Sequence, residues 1–134
     1  MNMGKTLKKD LYYTRDHEWI EFRGTIAYAG VCAFKLKGIN AIQRIKFSEI
    51  SGLKEQGELI AAIYYDDYEI LFHMPVRGRV TNINELILSN NNLLLEQPEN
   101  NGWIAFIVPA QPYERKDLLL PEQYRMNGKS KYAK

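Results

Sequence analysis

The residues of this chain best suited to chemistry gather in one short stretch, Tyr64-Tyr65-Asp66-Asp67-Tyr68-Glu69. Its carboxylates and phenols offer oxygen atoms that a hard cation such as Ca²⁺ or Mg²⁺ would accept. Such a cation takes about six or more oxygens, and no D-x-D-x-D-G loop follows the stretch. The residues therefore read as a solvated acidic turn, and no metal set is expected. The only histidines are His17 and His73, and the only cysteine is Cys32. No serine lies in a nucleophile-elbow context and nothing local pairs Cys32 with a histidine. No catalytic triad can be drawn, and the chain is not expected to be an enzyme. Cys32 reads as a small buried residue. A single cysteine also rules out an internal disulfide framework and fits a cytoplasmic location.

The elements around the stretch explain how it is presented. Ile60, Ala62 and Ile63 precede it, and Ile70, Leu71 and Phe72 follow it. Two strands joined by a tight turn at Asp66-Asp67 are predicted. Aspartate tolerates turn backbone, and tyrosine suits the flanking strand positions. Pro75 and Gly78 then lead into a third strand. Tyr64, Tyr65 and Tyr68 cannot all point inward on alternating strands. Either at least one is exposed and available to a partner, or they pair across the hairpin and stiffen it.

The remaining chain reads as further short strands. Residues 18–22 alternate polar and apolar, Arg23-Gly24 turns the chain, and residues 25–29 return as a partner strand. Residues 30–38 suggest one or two helical turns with Val31, Phe34 and Leu36 inward. Ile39, Ile42, Ile45 and Phe47 lead into another strand, and residues 49–58 form a loop. Residues 79–84 alternate again, residues 85–88 make one helical turn, and residues 103–108 form a near-continuous apolar strand. Trp19, Trp103, Phe22, Phe34, Phe47, Phe72 and Phe106 are read as core. Residues 113–124 are expected to hold a short helix or two, interrupted at Pro121. About seven short strands with Gly or Pro punctuation point to a sandwich or barrel.

At 134 residues the chain fits one domain, and its 46% apolar and 25% charged content is ordinary for a globular protein. Three domain segments are expected: a disordered basic N-terminus at residues 1–9, a folded domain at 10–124 and a basic tail at 125–134. The net charge of +2 hides an acidic body. Without the seven basic residues of the two ends, 11 basic residues face 16 acidic ones. Nucleic-acid binding, which needs a basic face on the fold itself, is therefore not expected. No apolar run approaches the ~20 residues of a membrane span, and the N-terminus lacks the apolar region of a secretory signal.

Several motifs in order resemble the H protein of the glycine cleavage system. Tyr13-Thr14-Arg15-Asp16-His17-Glu18-Trp19 is close to that family's Y-T-x-x-H-E-W. Gly30-Val31 falls where the family begins its first helix. Pro75-Val76-Arg77-Gly78-Arg79-Val80 resembles P-V-S-G-x-V, and the run from Val80 to Asn84 resembles V-x-x-V-N. Leu93-Leu94-Leu95-Glu96 leading to Gly102-Trp103-Ile104 matches the approach to the last strand. Leu118, Leu119, Leu120, Glu122 and Tyr124 stand where the family has its last helix. The resemblance spans about residues 12–124.

The resemblance implies an all-β, mainly antiparallel fold: the flattened barrel, or barrel-sandwich hybrid, of lipoyl and biotinyl carrier domains, with short helices and a C-terminal helical segment. It also implies a carrier whose hairpin lysine bears lipoate and shuttles an aminomethyl group between partner enzymes. Counting back from Pro75 without a gap, the family's lysine falls at Asp67 and its recognition glutamate at Tyr64. The family's E-S-V-K-A becomes Tyr64-Tyr65-Asp66-Asp67-Tyr68, and no lysine occurs between Lys54 and Lys116. Lipoate, the family's cofactor, is therefore not expected to attach at Asp67. The expected function is that of a non-lipoylated H-protein-like domain, a monomer that binds a protein partner through its tip. A glycine-cleavage or lipoate-handling enzyme would be one such partner, with a link to glycine catabolism. Two alternatives stand beside this: a working H protein with an unrecognised attachment, and a small ligand-binding barrel or enzyme using the hairpin carboxylates.

Overall fold

The computed structural model describes residues 10–110, 115 and 117–125. The expected disordered N-terminus, most of the expected C-terminal tail and the start of the 113–124 segment lie outside these residues. Nine strands are described: β1 Asp10–Tyr13, β2 Glu18–Arg23, β3 Ile26–Val31, β4 Arg44–Phe47, β5 Leu53–Lys54, β6 Leu59–Tyr65, β7 Tyr68–His73, β8 Gly78–Ile83 and β9 Ala105–Pro109. Two of them were not legible in the sequence. β1 lacks a polar–apolar alternation, and β5 is only two residues long.

All strand pairs are antiparallel and build two sheets. Sheet A runs β1-β2-β3-β9-β8-β5 and sheet B runs β4-β6-β7. Neither closes on itself or on the other. The flattened barrel expected from the resemblance is thus corrected to two open sheets with a shared core. Each sheet ends in a short edge strand, β5 at two residues and β4 at four, which offers little ladder for closure. At the β7 edge the His73 amide donates to the Glu18 carboxylate instead of to a neighbouring strand.

Alternation places the core residues. Along β2, Ile20 and Phe22 face the main core, where they meet Ile60, Ile63, Phe72, Met74, Ile104 and Ile107. Burying an aliphatic or aromatic side chain of this kind contributes roughly 1.5–3 kcal/mol. Trp19 points to the other face of β2 and joins Tyr13, Cys32 and Leu119 in a smaller cluster. Gly30, across from Trp19, leaves room for the indole, which would lie 3.0 Å from a Cβ built there. Phe34 departs from the sequence reading: it lies on a 3₁₀ turn, Ala33–Leu36, is 37% exposed and rests against His17.

Two short helices follow β8. Helix α1, Glu85–Ser89, starts at Asn84, whose side chain accepts from the Leu86 amide as an N-cap. Helix α2, Asn92–Glu96, takes the Leu93-Leu94-Leu95 run and buries Leu94 in the core. A further helical stretch at 121–125 follows a bridge between Tyr13 and Leu119.

The second cluster also holds titratable groups. Burial pushes the Cys32 thiol from its ordinary 9.0 up to about 12, although a hydrogen bond with Tyr124 pulls the other way. Burial likewise raises the Tyr13 and Tyr124 phenols. These groups keep their protons in the folded chain at a pH where the unfolded chain releases them. Stability contributed here is complete below the unfolded values and is lost as pH rises beyond them. A denaturant titration should therefore show a falling midpoint from about pH 9 upward, and Cys32 should resist alkylation at pH 8 until the chain unfolds.

Gly78 gives a sharper packing test. A Cβ there would lie 2.5 Å from the Val108 carbonyl oxygen and 2.9 Å from the Pro109 Cα, both backbone atoms. Gly78→Ala should lower the urea-derived stability by about 1–3 kcal/mol, because β8 and β9 must separate to admit the methyl group.

Candidate functional site

β6 and β7 pair from Leu59↔His73 to Tyr65↔Tyr68, with one irregularity between Leu59 and Ala61. Only Asp66 and Asp67 remain to make the turn. Asp66 takes a left-handed φ of 50°, which aspartate tolerates better than most side-chain residues. Asp66, Asp67, Tyr68 and Glu69 are exposed.

The tyrosines divide their roles. Tyr68 is 66% exposed, and its ring lies 5.7 Å from that of Tyr65 across the turn. Tyr64 is half-buried and carries the Arg44 guanidinium over its ring at 4.3 Å. Tyr65 and Tyr68 thus pair across the hairpin, and Tyr68 is at the same time exposed. A shallow groove of about 450 Å³ runs beside the tip between Gln43 and Arg44 on one side and the turn residues on the other. The turn's carboxylates do not converge with other ligand groups into a cation-sized set among the described residues.

The base of the hairpin holds a second assembly, which the sequence reading missed. Glu18 is 2% exposed, and its Oε2 accepts from Lys35 Nζ at 3.1 Å and from the His73 backbone N at 2.9 Å. His73 Nδ1 also lies 2.9 Å from this oxygen. Asp16 Oδ2 is 3.0 Å from Lys35 Nζ and 3.1 Å from His73 Nδ1. Asp16, Glu18 and His73 border an open cleft of about 470 Å³ that also includes Gln56, Met74 and Asp117. The sequence did hold a signal: Glu18 shares the inward phase of Ile20 and Phe22 along β2, and an acid in such a phase needs a cationic partner.

His17, read as structural, holds a turn. Its φ is 61°, its Nδ1 lies 2.9 Å from the Tyr124 hydroxyl, and its carbonyl accepts from the Cys32 amide. The Thr14 hydroxyl accepts from the Asp16 and Glu18 amides, so the residues that carry the acids form a tied turn.

A small antiparallel β-protein that raises one solvated two-residue hairpin is consistent with the lipoyl- and biotinyl-carrier class. Residues 11–131 match the family model described as glycine cleavage H-protein, and the chain belongs to that family. Among its relatives, the glycine cleavage system H protein of Halothermothrix orenii is 32% identical over 116 residues, 87% of this chain and 91% of that protein. The probable glycine cleavage system H protein of Aeropyrum pernix is 30% identical over 118 residues, covering 88% of this chain and 82% of the relative. The fold resembles the crystal structure of a glycine cleavage system H protein from Mycobacterium marinum. The TM-score is 0.75 at 20% identity, over 91% of this chain and 99% of that one. Members of the family are carriers and not catalysts. No helix among the described residues is long and apolar enough to cross a membrane.

Glu18 yields a direct test of the basal assembly. Glu18→Ala removes the shared acceptor of Lys35 and His73 and leaves the His73 amide without its partner. Lys35 can reach solvent, so the cost should fall at about 2–3 kcal/mol, below the usual loss for a wholly buried pair. Chemical denaturation of the variant against the parent protein measures it.

Proposed function

We propose that this chain is an H-protein-like domain that carries no lipoate at its hairpin and works by binding a protein partner through the tip. The observation that carries this reading is the residue at the attachment position. Lipoate joins its carrier by an amide, which needs a primary amine, and Asp67 presents a carboxylate. Asp66 and Glu69 add carboxylates beside it, and Tyr64 and Tyr68 add phenols, so the tip does not fit the group. Nor does a lysine stand nearby on the hairpin, since none occurs between Lys54 and Lys116. Lys54 itself is buried on β5 and faces Glu58.

The tip suits protein recognition. An exposed tyrosine offers a large contact area with a polar end, and the groove next to Arg44 can seat a partner side chain. The partner is a glycine-cleavage or lipoate-handling enzyme that accepts an anionic tip, or another protein selected by the Tyr65-Asp66-Asp67-Tyr68 surface. A carboxylate where a lipoyl-lysine is uncharged separates this chain from partners built around that group. We place it as a cytoplasmic monomer with one folded domain at residues 10–124.

Expression in a lipoylating host supplied with lipoate should yield a chain of unmodified intact mass. A gain of one lipoyl group would overturn the reading. The double variant Asp67→Lys, Tyr64→Glu restores both the amine and the family's glutamate on the same turn. It should acquire the lipoyl mass increment, while a folded but unmodified variant would locate the loss beyond these two positions.

A further inference from the structure

We propose that Asp16, Glu18 and His73 form a binding site for a divalent transition metal, which would clamp the base of the hairpin to sheet A. Although the sequence reading expected no metal, one carboxylate oxygen from each acid and one imidazole nitrogen lie within 4.8 Å of one another. The donors and acceptors here share their contacts. His73 Nδ1 sits 2.9 Å from Glu18 Oε2 and 3.1 Å from Asp16 Oδ2. A ring nitrogen carries at most one proton, so it cannot direct a linear hydrogen bond to both oxygens. Glu18 Oε2 also meets Lys35 Nζ and the His73 amide. A divalent ion accepting lone pairs from all three side chains would take the place of these shared contacts.

The backbone supports the donors independently. Asp16 and Glu18 flank the turn fixed by His17 and the Thr14 hydroxyl, and His73 ends β7. Glu18 is buried, His73 is half-buried and Asp16 is exposed at an open cleft, so an ion has a route in. The donor set selects the metal class. Ca²⁺ and Mg²⁺ favour oxygen alone, whereas an imidazole with carboxylates suits Zn²⁺, Co²⁺ or Mn²⁺ at roughly 2.0–2.2 Å. Drawing the donors onto one ion needs only small side-chain movements, and two carboxylates neutralise its charge.

Lys35 is the built-in competitor. Its ammonium contacts the same two carboxylates, yet its side chain is 14% exposed and can withdraw to solvent. Metal affinity is then the difference between an ion and an ammonium in one acidic site. Bound metal would join the turn before β2 to the end of β7 by coordinate bonds. Tip presentation would follow metal availability.

The test is a Zn²⁺ titration of the untagged full chain by calorimetry, with the two histidine side chains followed by NMR. One ion per chain should bind, shifting His73 and leaving His17 in place. His73→Gln and Glu18→Gln should weaken binding by about tenfold or more. Lys35→Ala should tighten it. Absence of one-to-one binding, or undiminished affinity in His73→Gln, overturns the proposal. Because the parent chain alone gives a decisive answer, misfolding of a variant does not rescue it.

Discussion

The Glu18 carboxylate is the interaction on which the arrangement of the two sheets depends. A buried acid is costly unless cations and N–H groups surround it, and here they come from two elements. Lys35 reaches it from the 3₁₀ turn, and His73 supplies both ring and amide from the last residue of β7. The bond from the His73 amide replaces a strand-to-strand bond. It lets sheet B end beside sheet A without a continuous ladder between them. The base of the hairpin is thereby fixed against sheet A.

Local patterning made most of the elements legible. The hairpin of β6 and β7 followed from apolar runs on both sides of two aspartates, and β2 and β3 followed from alternation around Arg23-Gly24. Closure was not legible, because it depends on register and on whether two-residue and four-residue strands meet across a gap. Neither is written in local periodicity. The run at residues 93–95 could be placed as apolar but not as helix, since three leucines fit either state over so short a span. Phe34 read as inward from residue type alone, whereas the short 3₁₀ turn sends its ring across to His17 at the surface.

The two ends of the hairpin differ in how they could be found. The tip is contiguous in sequence, so its residues and their mismatch to a lysine-bearing carrier were visible from the motif spacing. The base brings together residues 55 positions apart, Glu18 and His73, and no spacing rule predicts that meeting. What the sequence did contain was an acid in the inward phase of β2. That implied a buried partner without naming it.

One feature of the fold reaches beyond a single molecule. β7 forms an edge of sheet B, and it carries an exposed tyrosine and an exposed glutamate at its outer end. Open edges invite other strands, and proteins commonly guard them with charge. Here Glu69 is the guard on the edge, with the acidic turn beside it. If two copies aligned their β7 edges parallel and in register, the two Glu69 side chains would become close neighbours, and like charges at that spacing repel. The acidic end of the edge thus turns away a twin in that alignment while leaving basic or neutral strands free to approach.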